Sequence, residues 1–279
     1  MSGQDPVSSP ARTDSWSSKI DTSVAHPARR YDYWLGGKDN FAADRESGDA
    51  VAAAFPTVRT SAIENRRFLR RAVAYLAREA GLRQFLDVGT GIPTADNTHQ
   101  VAQAIAPQSR IVYVDNDPIV LMHARALLTS TPEGATAYLD ADLRDPGRIL
   151  GDPQLARTID LSRPVGLMLV AILHFVKDAD DPYGAVSRLV SAMPSGSYLT
   201  ITHATNDHMP PEILAAVGDA DAQIPFQFRS REEFGRFLDG MDLVPPGIVS
   251  VAEWRAENEA GPRPSAAETA VYGAVARIP

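Results

Sequence analysis

The stretch Phe85–Thr94, FLDVGTGIPT, constrains this chain more than any other. Phe85, Leu86 and Val88 read as a short apolar strand, Gly89 and Gly91 as a turn, and the residues beyond as a helix. Glycine suits such a turn because it tolerates positive φ and lets the backbone approach a ligand with no Cβ in the way. A loop that ends at a helix N-terminus also offers unpaired N–H groups to an acceptor-rich ligand. Asp87, on the strand just before the turn, is the unusual residue of the set.

The strands and helices that follow alternate. Ser61–Leu82 reads as a helix with an S-x-x-E capping box at Ser61 and Glu64 and an apolar stripe through Phe68, Leu69, Ala72, Val73 and Leu76. Arg66, Arg67, Arg70 and Arg71 spread around it, a solvated face in the ordinary case, although Arg66 or Arg67 is suited to grip a carboxylate. A helix over Asp96–Ala106, with Val101, Ala104 and Ile105 on its apolar side, leads to a strand at Arg110–Val114 closed by Asp115. Pro118 opens the next helix, striped by Leu121, Ala124 and Leu128. Thr136–Leu139 is a third strand, leading into Asp140-Ala141-Asp142-Leu143.

Pro164–Ile172 is an apolar run typical of a central parallel strand, and it ends in Leu173-His174-Phe175. After a helix at Pro182–Met193, Ser197–Thr202 is a strand ending in His203. A second capping box stands at Ser230 and Glu233. Gly247–Trp254 and Thr269–Ile278 alternate like an antiparallel pair. One α/β domain with right-handed crossovers is the natural assembly.

Two segments precede that domain. Residues 1–24, rich in Ser, Asp and Pro with a lone Trp16, bury too little to order themselves. Ala28–Arg45 gathers Tyr31, Tyr33, Trp34 and Phe41 around Gly36-Gly37, which predicts two short helices joined at a glycine hinge. Either this segment is a lid that closes over a ligand, or its aromatics simply pack on the core.

Composition narrows the chemistry. A formal charge of −8 leaves no excess of positive charge to displace counterions, so nucleic acid is not the expected partner. The absence of cysteine excludes disulfides, zinc–thiolate centres and cysteine nucleophiles. His26, His99, His123 and His208 make no metal set with the carboxylates, and Asp178, Asp180 and Asp181 read as a solvated loop. With no long apolar run and no leader-like N-terminus, the expectation is a soluble cytoplasmic protein.

An open α/β sheet binds at the carboxyl ends of its strands. Those ends carry Gly89–Gly91, Asp115, Asp140 and Asp142, His174, and His203. A carboxylate closing the second strand is what a ribose diol requires, and Asp115 lies 24 residues beyond Gly91, close to the spacing of roughly 20 in nucleotide-binding folds. A nicotinamide dinucleotide would prefer a third glycine, where this chain has Thr94 preceded by Pro93. S-adenosylmethionine has no pyrophosphate, and its cationic amino group gives Asp87 a partner. Asp142 with Leu143 suits adenine, carboxylate to N6 and backbone N–H to N1. The residues favour S-adenosylmethionine, with Thr90, Asn116, Tyr33 and Arg66 completing the candidate cofactor-binding set.

The segments ARRYDYWLGGKDNFAADR, ENRRFLRRAV, FLDVGTGIPT, VYVDNDP and LHFVKD together resemble the actinobacterial S-adenosylmethionine-dependent methyltransferase-like family, formerly a domain of unknown function. The resemblance runs from about Ala28 to the C-terminus. It implies the Rossmann-like class I methyltransferase fold, a seven-stranded, mostly parallel sheet with a C-terminal antiparallel hairpin. It also implies that residues 25–60 are a helical lid on a methyltransferase domain at 61–279. Asp87, Gly89 and Gly91 would meet the methionine part, Asp115 the ribose, and Asp142 with Leu143 the adenine. The expected reaction is methyl transfer to a small-molecule acceptor, with His174 or His203 as candidate base. A nicotinamide-dependent oxidoreductase and a non-catalytic S-adenosylmethionine-binding protein are the alternatives. The resemblance names no acceptor, and oligomeric state is not legible.

Overall fold

A computed structural model describes residues 21–127, 129–220 and 224–279. The tail expected over 1–24, Trp16 included, lies almost wholly outside them, as does Leu128. The side chain of Ala124 is not described either.

The apolar runs become strands β1 (Gln84–Val88), β2 (Arg110–Asp115), β3 (Ala135–Asp140), β4 (Gly166–Leu169) and β5 (Tyr198–Ala204), followed by β6 (Asp242–Leu243), β7 (Val249–Ser250) and β8 (Val271–Arg277). Their order is β3-β2-β1-β4-β5-β8-β6, with β7 also paired to β8. The first five are parallel, and β8 runs antiparallel to β5, β6 and β7. This is the expected mostly parallel α/β sheet with antiparallel C-terminal strands, but it has eight strands rather than seven, because two short strands, β6 and β7, pair with β8 in place of one hairpin partner. The chain leaves β1 toward β2 on one side and returns to β4 on the other, so a crevice opens above the carboxyl ends of β1 and β4.

The sheet is covered on both faces. Leu86, Val88, Val112 and Leu167 face one apolar cluster, while Phe85, Ile111, Tyr113 and Met168 face another. Alternate residues of each strand point to opposite faces, which is why a fully buried strand needs no polar partner positions.

Several elements depart from their sequence reading. The expected strand Gly247–Trp254 shrinks to β7 because the chain turns to bury Trp254, whose ring meets Phe68 edge-on at 5.4 Å and Tyr75 at 6.0 Å. The long helix runs over Val58–Arg78, a turn earlier than the capping box predicts. Ser61 is inside it, donating to the Thr269 carbonyl, and buried Glu64 pairs with Arg67 and Arg263. Val58 packs with Val51 and Phe55, and this burial extends the helix. Arg71 is buried rather than solvated, paired with Glu259 at 2.6 Å. The helix after the glycine loop spans Thr98–Ile105 and hides Ala102, Thr98, His99 and Gln103, whereas Ala104 is exposed. Polar residues win that face because they have partners: Gln103 donates to the Ser109 carbonyl, and the His99 N–H to the Tyr113 hydroxyl.

The aromatic segment forms two helices, α1 (Pro27–Trp34) and α2 (Ala42–Ala54). The GGKDN turn between them wraps the Asp32 carboxylate, which is buried and accepts from the Asp39 N–H at 3.0 Å and Asn40 Nδ2 at 2.9 Å. Gly37 is there because a Cβ would stand 1.9 Å from Asp32 Oδ1. Gly37→Ala must displace that carboxylate from its donors. It should cost about 1–3 kcal/mol, read as a lower urea midpoint at unchanged slope; an unchanged midpoint would contradict the role given to the turn.

Candidate functional site

A cavity of about 320 Å³ lies in the crevice above β1, β2 and β4. Its floor is the glycine loop. Gly89 (φ +79°) sits where a Cβ would meet Ile172 Cδ1 at 2.3 Å, and its N–H donates to the Val114 carbonyl at 2.8 Å. Gly91 (φ +68°) has no atom within 4 Å of its notional Cβ and faces open space. Its N–H donates to Asp115 Oδ2 at 2.8 Å, while Asp115 Oδ1 accepts from the Asp117 N–H at 2.9 Å. The carboxylate that closes β2 therefore braces the turn that follows β1.

The loop does not run directly into a helix. Residues 92–97 intervene, and the helix opens at Thr98, whose hydroxyl donates to Asp87 Oδ2 at 2.6 Å. A pyrophosphate resting on the turn would find no helix N-terminus there. It would find instead the buried carboxylates of Asp87 and Asp115. Burial pushes the Asp87 carboxyl up to about 6, against the lowering effect of the Thr98 hydrogen bond and Arg66. Burial likewise raises Asp115. Such carboxylates gain from a cationic ligand.

Arg66 reaches over this floor from the long helix, donating to the Ala95 carbonyl at 3.0 Å. Its Nε is buried with no partner among the described residues. A buried guanidinium N–H costs free energy until an acceptor meets it. A ligand with both a carboxylate and an amino group fits Arg66 and Asp87 together.

At the far wall stand Asn116, Asp142, Leu143 and Arg144. Asp142 takes Arg144 Nη2 at 2.6 Å and Nε at 2.9 Å, and Asn116 Nδ2 at 2.8 Å. The Arg144 hydrogen bond holds its carboxyl at about 2. Arg144 is half exposed, so one Asp142 oxygen can change partners without breaking a buried pair.

Asp87, Gly89, Thr90, Gly91, Asp115, Asn116, Asp142, Leu143 and Arg66 thus all line one cavity. Tyr33 does not: its hydroxyl donates to Asp49 at 2.8 Å, and Arg59 lies 4.7 Å from its ring centre. Two residues earlier on α1, Tyr31 takes that place, since positions two apart on a helix face different ways. His203 lies within β5 rather than at its end, fully buried. Its Nδ1 meets the Ala204 carbonyl at 2.7 Å and its Nε2 meets Arg229 Nη1 at 2.6 Å. Burial drives its pKa down to about 3, both its nitrogens are engaged within the protein, and it lines neither of the two cavities at this site. Arg229, fully buried, also pairs with Asp178 at 2.6 Å, so that acidic loop is anchored rather than merely solvated.

His174 is placed differently. It sits in a single turn, Leu173–Phe175, and lines a second, apolar chamber of about 90 Å³. Its Nδ1 is buried without a partner among the described residues, and burial holds the ring well below its ordinary pKa.

For the segment expected as a lid, sequence reasoning named Tyr33 but missed the residues that reach the site. His26, the N-cap of α1, and Pro27, Ala28 and Tyr31 of α1 stand at the cavity rim. His26 and Arg29 close on Asp117 at 2.9 and 3.5 Å, and buried Asp44 of α2 accepts from the His26 N–H at 2.8 Å. No spacing rule pairs residues so far apart.

Among the described residues no helix is long and apolar enough to cross a membrane. No curated protein matches the chain. Among solved structures, a DUF574 family protein from Streptomyces avermitilis is 48% identical, covering 93% of this chain and 99% of its own at a TM-score of 0.87. A candidate methyltransferase from Thermobifida fusca is 41% identical, over 92% of this chain and 96% of its own, with a TM-score of 0.84. The family described as S-adenosyl methyltransferase matches residues 13–279. The chain belongs to that family, the S-adenosylmethionine-dependent methyltransferases, with S-adenosylmethionine as its cofactor.

Proposed function

We propose that the protein transfers the methyl group of S-adenosylmethionine to a small-molecule acceptor inside the covered crevice. The observation that carries this reading is the coincidence, in one cavity, of Asp87, Asp115 and an unpartnered Arg66 Nε. When bound, the cofactor supplies an electrophilic methyl group on a sulfonium. The chain does the rest by position. Arg66 and Asp87 take the carboxylate and amino group of the methionine part. Asp115 accepts the ribose hydroxyls on its free lone pairs, and Asn116, Asp142 and Leu143 border the adenine.

The cover formed by α1 excludes water and holds the acceptor in near-attack geometry, the main source of rate for an already activated donor. His174, whose Nδ1 is buried with no partner among the described residues, is placed to accept a proton from a hydroxyl or amine acceptor. With methyl-labelled cofactor and a cell extract, label should appear in the small-molecule fraction. Label confined to protein or nucleic acid would contradict the acceptor class.

Two measurements test the cofactor assignment. Asp115→Ala removes both the ribose acceptor and the brace on Gly91, so S-adenosylhomocysteine binding by calorimetry should fall below detection in a folded protein. Unchanged affinity would rule out the ribose role.

The second is a pH profile. Ionised Asp87 attracts the cationic amino group and protonated Asp87 does not, so affinity should be full well above pH 6 and fall as the pH is lowered through about 6. In Asp87→Asn that decline should be shallower; a profile parallel to wild type would contradict the pairing.

A further inference from the structure

The 90 Å³ chamber meets the cofactor cavity at a neck. Pro27, Tyr31, Asn65, Ala171 and Phe175 line both spaces. Ala171 holds φ +59° there, with its N–H on the Thr202 hydroxyl at 2.9 Å. A non-glycine residue in the left-handed region is held only where its surroundings over-determine it, and such residues gather at ligand sites.

The neck has an unsatisfied acceptor. The Tyr31 hydroxyl gives its proton to the Ala62 carbonyl at 3.0 Å, so its oxygen can only accept from Asn65 Nδ2 at 3.1 Å. This fixes the amide, and leaves Asn65 Oδ1 buried without a donor among the described residues. Asn65 is itself only 3% exposed. A buried acceptor in this position calls for an O–H or N–H from a ligand.

The walls define the rest of the ligand. Phe55, Phe226 and Phe228 line the chamber, and among the described residues no carboxylate or lysine does. Arg30, the one charged residue among the described residues that line it, lies over the Trp34 ring at 4.9 Å and donates to Ser47 Oγ at 3.2 Å. At about 90 Å³ the chamber is smaller than an apolar cavity of about 150 Å³ that takes one benzene, so it admits no more than a single ring that reaches back toward the neck.

We propose that this chamber receives the acceptor as a compact, uncharged, one-ring aromatic alcohol of the phenol class, its hydroxyl donating to Asn65 Oδ1 at the neck. The proposal rests on reading the larger cavity as the cofactor site. Transfer then forms an oxygen–carbon bond as the sulfur–carbon bond breaks. The sulfonium ends as a neutral thioether, and as the new bond forms the hydroxyl turns its proton from Asn65 Oδ1 to the unpartnered Nδ1 of His174, which takes it up.

The test titrates the full chain, saturated with S-adenosylhomocysteine, with phenol, anisole, benzylamine and benzoate. Phenol should bind tightest, with anisole weaker by about tenfold, the ratio one unmade buried hydrogen bond gives. Asn65→Leu should bring phenol down to the affinity of anisole. Val58→Phe, which fills the chamber from the start of the long helix, should remove phenol binding in a protein that still melts cooperatively.

Equal affinity for phenol and anisole in the unaltered chain would overturn the proposal, as would tightest binding of benzylamine or benzoate. S-adenosylhomocysteine binding without a phenol preference defeats the acceptor assignment alone. Failure of S-adenosylhomocysteine to bind defeats the cofactor reading and this proposal with it.

Discussion

The Asp115 carboxylate is the joint on which this site depends. One oxygen holds the Gly91 N–H and the other the Asp117 N–H, so the end of β2 fixes both the turn after β1 and the entry to the following helix. Hydrogen bonds to an ionised group contribute about 1.5–3 kcal/mol each, enough to hold a glycine-rich turn in one conformation. Asp117 extends the joint outward. It caps the helix through the Ile119 N–H and takes His26 and Arg29 from α1. Floor, wall and cover are thereby coupled through three consecutive residues, and a ligand that meets Asp115 meets a preorganised group.

The consequence is a division of labour between two spaces. The larger one is rich in carboxylates and suits a cation, while the smaller is apolar and suits a neutral ring. Tyr31 and Asn65 sit between them, both supplied by the helical cover and the long helix rather than by the sheet. The parallel sheet sets where a nucleoside can lie, and the N-terminal helices set what can lie beside it. This separation explains how one nucleotide-binding scaffold accommodates different acceptors through changes in its cover alone.

Much of this was legible in the chain. Strand-length apolar runs gave the sheet, and the rule that ligands gather at carboxyl ends singled out Asp87, Gly89, Gly91, Asp115 and Asp142, which line one cavity. What failed, failed for tertiary reasons. Ser61 and Glu64 have the spacing of a capping box, but burial of Val58 extended the helix past them and gave both side chains distant partners. His203 and His174 look alike as strand-end histidines. What separates them is the packing of Arg229 onto one and, on the other, a buried nitrogen with no partner among the described residues. Tyr31 and Tyr33 are equally aromatic in the sequence, and helix phase alone chooses between them. Local pattern specifies elements; it does not specify which buried polar atom is left without a partner.

The central claim is that Asp115 and Arg66 orient a sulfonium nucleoside across the ends of β1 and β2. The most direct measurement is a crystal structure of the chain with S-adenosylhomocysteine. The account predicts the ribose hydroxyls within hydrogen-bond distance of Asp115, and the amino-acid carboxylate on Arg66 Nε with its amino group beside Asp87. A nucleoside bound with its ribose away from Asp115, or with Arg66 Nε still unpartnered, would contradict it.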